Sequence, residues 1–100
     1  MSTPLSARDR SRLKARAHAL EPIIHIGHGG LSDAVVSEID RALTAHELIK
    51  IRAGGHERNE RAELFEAVSA RTGAAIVQEV GKIAVLWRER PDEAGDEEES

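Results

Sequence analysis

Apolar residues recur along the chain with two different periods, and each change of period marks an element. From Ser6 to about Ala19 they are sparse. Leu13, Ala17 and Leu20 fall within an arc of about 60° at ~100° per residue, which predicts a helix with one narrow apolar stripe. Pro22 cannot continue that helix and biases Glu21 toward extended backbone. Ile23 to Ile26 predict a short strand that stops at Gly27-His28-Gly29-Gly30. Ser32 can cap a second helix, and Asp33 suits the positive end of its dipole. Leu31, Val35, Ile39, Ala42 and Leu43 keep helical spacing to about Ala45. Leu48 to Arg52 read as a strand with Ile49 and Ile51 on one face and Lys50 on the other. Ala53-Gly54-Gly55 lead to a third helix from near Asn59 to Arg71, with Leu64, Phe65 and Val68 inside and Glu60, Glu63 and Glu66 in water. Thr72-Gly73 end it, because glycine readily takes the left-handed C′ geometry. Ala75 to Val80 and Ile83 to Arg88 are two strands joined by Gly81-Lys82. A two-residue connection with glycine first suits a type II′ hairpin.

The order is α-β-α-β-α-β-β, an α/β class of a single small domain with a mixed four-stranded sheet flanked by helices. Each strand–helix–strand unit implies parallel neighbours, and the closing hairpin is antiparallel. No internal repeat and no second core is visible in the 100 residues. The expected domain is 1–91, followed by a tail.

Charge changes this picture. The chain holds 14 Lys plus Arg and 18 Asp plus Glu, a net charge of −4. Six of those acids lie in residues 92–100, which hold no base, so residues 1–91 carry fourteen bases against twelve acids. Residues 92–100 have no large apolar side chain, and an acidic disordered tail is expected there. At the front, Arg8, Arg10, Arg12, Lys14 and Arg16 face Asp9 alone. On the helix, Arg8, Arg12 and Arg16 form a stripe along one flank, with Arg10 and Lys14 on the other.

Composition removes several function classes. There is no cysteine, hence no disulfide framework, thiolate zinc site or Cys nucleophile, which fits a reducing compartment. No apolar run reaches the ~20 residues that span a bilayer, and the first residues lack the apolar core of a signal peptide. A cytoplasmic protein without a membrane partner or small-molecule substrate is expected. His25 and His28 do not share a face suited to a metal, and His18, His46 and His56 supply no clear further ligands, so neither metal nor cofactor is expected. No nucleophile elbow or paired acid–base constellation selects a catalytic site, and Glu57 and Arg61 read as an exposed pair at i, i+4 spacing. The expectation is a protein that is not an enzyme.

The Gly27–Gly30 turn carries the most information. It joins a strand to a helix start, where glycines allow close approach and free N–H groups favour an anion such as phosphate. A G-x-x-G loop clamps a nucleic-acid backbone in this way in KH domains. It is neither a dinucleotide fingerprint, which would need a glycine at Ser32, nor a phosphate loop ending in Gly-Lys-Ser/Thr.

Four ordered motifs resemble one family. Leu5-Ser6 with Arg8, Arg10, Leu13, Lys14, Ala17-His18, Leu20 and Pro22 is similar to the opening of the CRM domain (chloroplast RNA splicing and ribosome maturation). Ile26-Gly27-His28-Gly29-Gly30-Leu31-Ser32 resembles its GxxG loop, with His28 where lysine is usual. His46-Glu47-Leu48-Ile49-Lys50-Ile51-Arg52 resembles its central strand. Gly81-Lys82 with Val85-Leu86-Trp87-Arg88 resembles its closing strand, with Trp87 where tyrosine is usual. The match covers about residues 5–90 and looks like the bacterial stand-alone YhbY-like branch. It implies a fold akin to the C-terminal domain of translation initiation factor 3. It also implies binding to ribosomal RNA in large-subunit precursors during ribosome assembly.

The candidate RNA contacts are Arg8, Arg10, Arg12, Lys14, Arg16, Gly27, His28, Gly29, Gly30, Lys50, Arg52, Lys82 and Arg88. Trp87 could stack on a base or pack against a helix. Phe65 and Trp87 are the only aromatic residues, so a multi-ring stacking platform cannot be built. Contact through phosphates, backbone amides and shape is what remains. The alternative is a protein-interaction adaptor whose basic helix docks an acidic protein and whose tail docks a basic one. The tail could also compete with RNA as a polyanion.

Overall fold

The structure, a computed structural model, describes residues 5–90; the expectations for Met1–Pro4 and for the acidic tail lie outside the described residues. The elements are α1 (Ala7–Ala17), β1 (Pro22–His25), α2 (Asp33–His46), β2 (Leu48–Arg52), α3 (Arg58–Thr72), β3 (Ala75–Val80) and β4 (Ile83–Trp87).

Local chemistry sets most of the boundaries. The Ser6 hydroxyl accepts from the Asp9 N–H at 3.0 Å, and that of Ser32 accepts from the Val35 N–H at 3.1 Å. Each thereby satisfies an orphan donor of the first turn. Glu57 and Glu60 form a reciprocal capping box at the start of α3. Arg61 therefore does not act as the partner of Glu57. Gly73, at φ 77°, closes the same helix. In the hairpin Gly81 has φ 59° while Lys82 stays out of the left-handed region, the pattern of a type II′ turn.

The strand order is β1-β2-β4-β3. β1 and β2 are parallel, and β4 is antiparallel to both β2 and β3. The expectation that β2 and β3 are neighbours fails, because β4 inserts between them. Burial explains the insertion. Ala84, Val85 and Leu86 of β4 are all buried, which suits a central strand. The sequence of β3 turns polar at Gln78-Glu79, and β1 is four residues long and opens on Pro22; both suit an edge.

Two apolar clusters lie on opposite faces of the sheet. On one, Ile39 and Leu43 of α2 and Phe65 and Val68 of α3 meet Ile24, Ile49, Ile51, Ala84 and Leu86. On the other, Leu13 and Ala17 of α1 meet Leu48, Val77 and Val85, with Trp87 and Leu20 packed against them. Each large side chain so buried contributes about 1.5–3 kcal/mol. The polar helix α1 is held by this stripe, since eleven residues do not sustain a helix alone.

A bulge between Ile76 and Gln78 turns both Val77 and Gln78 toward the α1 face. The Arg10 Nη1 donates to the carbonyls of Ile76 and Val77 at 2.9 and 3.0 Å, so this base pins the irregular edge strand to α1.

Candidate nucleic-acid interface

Strands β1 and β2 are parallel, so both end at the same edge of the sheet, and the hairpin turn between β3 and β4 lies there too. The Gly27–Gly30 loop follows β1, the Ala53–His56 loop follows β2, and Gly81-Lys82 completes the set. The Ile26 N–H donates to the Arg52 carbonyl at 2.7 Å and the Ala53 N–H to the Lys82 carbonyl at 2.8 Å. Gly27–Gly30 is a β-turn closed by the Gly30 N–H on the Gly27 carbonyl at 3.0 Å. The His56 Nε2 lies 2.9 Å from the same carbonyl. A carbonyl only accepts, so Nε2 carries the proton. Arg61 then donates to the carbonyls of His56 and Gly81 at 2.9 and 3.1 Å. The three loops are thus tied together by one histidine and one arginine.

Glycine is needed here for two different reasons. Gly55 has φ 82°, and a Cβ there would stand 2.7 Å from the His28 ring, which lies over this loop. The rings of His28 and His56 are 6.4 Å apart. Gly30, at φ 79°, also needs its freedom. Gly27 and Gly29 do not: neither takes a positive φ, and a Cβ on either would meet nothing within 4 Å. The fold itself places no demand on these two positions.

The sequence-predicted bases divide into two groups. Arg8, Arg12, Lys14, Arg16, Arg52 and Lys82 make no side-chain hydrogen bond or ion pair among the described residues. The others are engaged. Arg10 holds the β3 bulge, and the Lys50 Nζ donates to the Leu20 carbonyl at 3.0 Å. Arg88 donates to Asp40 Oδ1, the Thr72 carbonyl, the Asp40 carbonyl and Thr44 Oγ1. It lies at the opposite end of the sheet from the loops, beside Trp87, which packs against the α1 cluster.

Helix α1 crosses the sheet with a groove on each side. On one flank Arg16 lies with Leu20, Glu21, Ile23 and His46. On the other, Lys14 and His18 line a groove with Lys50, Gln78, Val80 and Ile83. The free bases of α1 therefore belong to the face opposite α2 and α3, and Arg52 and Lys82 stand at the loop end. Among the described residues no three His, Asp or Glu side chains gather as a metal site, and no helix is long and apolar enough to cross a membrane.

His56 and Arg61 are the positions that sequence reasoning assigned no part in the loop assembly. His56 reaches Gly27, 29 residues away, and Arg61 reaches Gly81, 20 residues away, so no local spacing exposes how they join the loops. The only hint is that Gly54-Gly55-His56 repeats the glycine-rich strand-to-helix pattern of Gly27–Gly30.

A family model for the CRS1 / YhbY (CRM) domain matches residues 5–88. An "RNA-binding protein" of Haemophilus influenzae is 41% identical over 86 residues, covering 86% of this chain and 87% of the relative. A "Probable RNA-binding protein" of Pseudomonas aeruginosa is 33% identical, covering 87% and 84%. The solution structure of the hypothetical protein SAV1595 from Staphylococcus aureus superposes with a TM-score of 0.76 at 32% identity, covering 86% of this chain and 90% of that one.

Proposed function

The chain belongs to the CRS1 / YhbY (CRM) domain family, and from that premise we propose that it is a non-catalytic RNA-binding protein acting on ribosomal RNA of large-subunit precursors. Gly27 and Gly29 carry the reading. Neither takes a positive φ, and each has open space where a Cβ would be, at a loop that leads into a helix N-terminus. A side chain missing where the fold would accept one favours close approach from outside, and the N–H groups there suit a phosphate. Arg52 and Lys82 supply charge at the same end, and Arg8, Arg12, Lys14 and Arg16 extend it over α1. Phe65 is fully buried and Trp87 is packed in the α1 cluster. Contact is therefore through phosphates and backbone amides, with weak sequence preference.

Mobility-shift titrations with a ribosomal RNA fragment across a salt series test this. Affinity should fall steeply with salt, and Arg12→Glu combined with Lys14→Glu should lower the slope by about two and the low-salt affinity by about a hundredfold. Unchanged binding in that variant would sink the surface. An adaptor would instead keep its large-complex sedimentation in nuclease-treated lysate. Crosslinking in cells with sequencing of the bound RNA checks the ribosomal assignment: reads should concentrate on large-subunit precursors.

A further inference from the structure

The last residues of the four strands at the loop end form one row. His25 pairs with Arg52, Arg52 with Ile83, and Ile83 with Val80. Directly paired residues point to the same face of a sheet. That face is the one α1 occupies, because Ile24, Ile49, Ile51 and Ala84 all face α2 and α3. Yet α1 does not cover the row. Its cluster takes in Leu48, Val77 and Val85 but neither Ile83 nor Val80. Val80 is 57% exposed, with Ile23 one of two exposed large apolar side chains among the described residues.

The result is a groove of about 370 Å³ with Val80, Ile83 and Val85 as its floor and Lys14 and His18 as its wall. Gln78 and Lys50 add polar atoms, and no carboxylate lines it. Glu79 pairs with Ala84 and so points to the other face. The groove on the other side of α1 contains Glu21. An apolar floor inside a basic, acid-free rim suits a flat, weakly polar group that carries a phosphate.

We propose that this groove seats an unpaired nucleobase of the bound RNA. The proposal rests on the RNA-binding reading above and adds what that reading lacks, a place for a base. At ~4.8 Å between strands, the row spans on the order of 14 Å from β1 to β3. One short single-stranded segment can therefore lie with its backbone at the Gly27–Gly30 loop and Arg52, and drop a base onto Ile83 and Val80. Lys14 and Lys82 flank the next phosphate. Gln78 can donate and accept toward a base edge. The platform is aliphatic, so it gives the base a dry surface without the ring stacking that aromatic readers use. A duplex keeps its bases stacked and cannot use it.

Methyl and amide NMR on the full chain tests the groove. A single-stranded oligoribonucleotide should shift the Val80 and Ile83 methyl signals together with the Gly27–Gly30 amides. A duplex of equal length should shift the loop amides alone. Val80→Ser should weaken single-strand binding by on the order of fivefold and leave duplex binding unchanged. If loop amides respond to both RNAs while the methyls stay still, the groove proposal is overturned, RNA binding stands, and the apolar row is left to a protein partner. If nothing responds to either RNA, the RNA-binding reading itself falls and this proposal falls with it.

Discussion

Arg52 and Arg88 stand at opposite ends of the paired strands β2 and β4, and the sequence offers both as phosphate contacts. The Arg52 side chain bonds nothing among the described residues, whereas that of Arg88 meets Asp40 Oδ1 at 2.6 Å, the Thr72 carbonyl at 2.7 Å and Thr44 Oγ1 at 3.0 Å. Helix direction explains the difference. Both α2 and α3 start at the loop end and finish at the Arg88 end. The finish of a helix leaves carbonyls that need donors, and arginine supplies them. Glu47, in the unusual conformation φ 65°, ψ −43°, belongs to the same closure: its carbonyl accepts the Arg88 N–H and its carboxylate the Arg90 N–H. The start of a helix instead presents N–H groups, which need acceptors. The Arg88 end thus turns its arginine inward onto helix carbonyls, while at the loop end Arg61 is used in the same way and the side chains of Arg52 and Lys82 are left without a partner among the described residues.

Removing the engaged arginine gives the largest effect on stability. Arg88→Ala should lower unfolding free energy in urea by about 2–3 kcal/mol, because it leaves the Thr72 carbonyl without its donor and removes three further hydrogen bonds, while the exposed Asp40 carboxylate adds little. RNA affinity of the folded variant should stay within about twofold, since no phosphate contact is removed. Arg52→Ala with Lys82→Ala should do the reverse, changing stability by less than about 0.5 kcal/mol and lowering the salt slope by about two. A large affinity loss in Arg88→Ala would break the contrast between the ends. Within α1 the same division sharpens to neighbours. Arg10→Ala should cost about 2 kcal/mol by freeing two carbonyls of the β3 bulge. Arg12→Ala should leave the urea midpoint in place and weaken RNA binding.

Much of this architecture is legible in the chain because it is local. Ser32 capping α2, Gly73 ending α3, and the alternation of Leu48 to Arg52 all depend on neighbours within a few residues. The position of β4 is not legible, because it depends on which strand is dry on both faces, a property of the assembled sheet. The site divides in the same way. A glycine turn before a helix announces itself, as do five bases in one helix. That Arg10 serves the carbonyls of Ile76 and Val77, or that His56 holds Gly27, spans most of the fold and leaves no spacing to read. Counting bases does not separate those that the backbone itself uses from those left without a partner.

Gly29→Ala bears most directly on what the loop end is for. The site has ordinary φ and open space, so alanine should fit. Its smaller unfolded-state entropy should leave the protein unchanged or more stable by up to about 1 kcal/mol. Gly30→Ala is the control. Its φ of 79° makes alanine cost about 1 kcal/mol through strain alone. If a phosphate lies against the loop backbone, the methyl group added by Gly29→Ala enters that contact, and RNA affinity should fall by on the order of fivefold while the urea midpoint holds or rises. A purely structural turn predicts the same two stabilities without the affinity loss: both variants would bind RNA equally well. Measuring midpoint and affinity on the same two proteins separates a glycine kept for the chain from a glycine kept for what the chain touches.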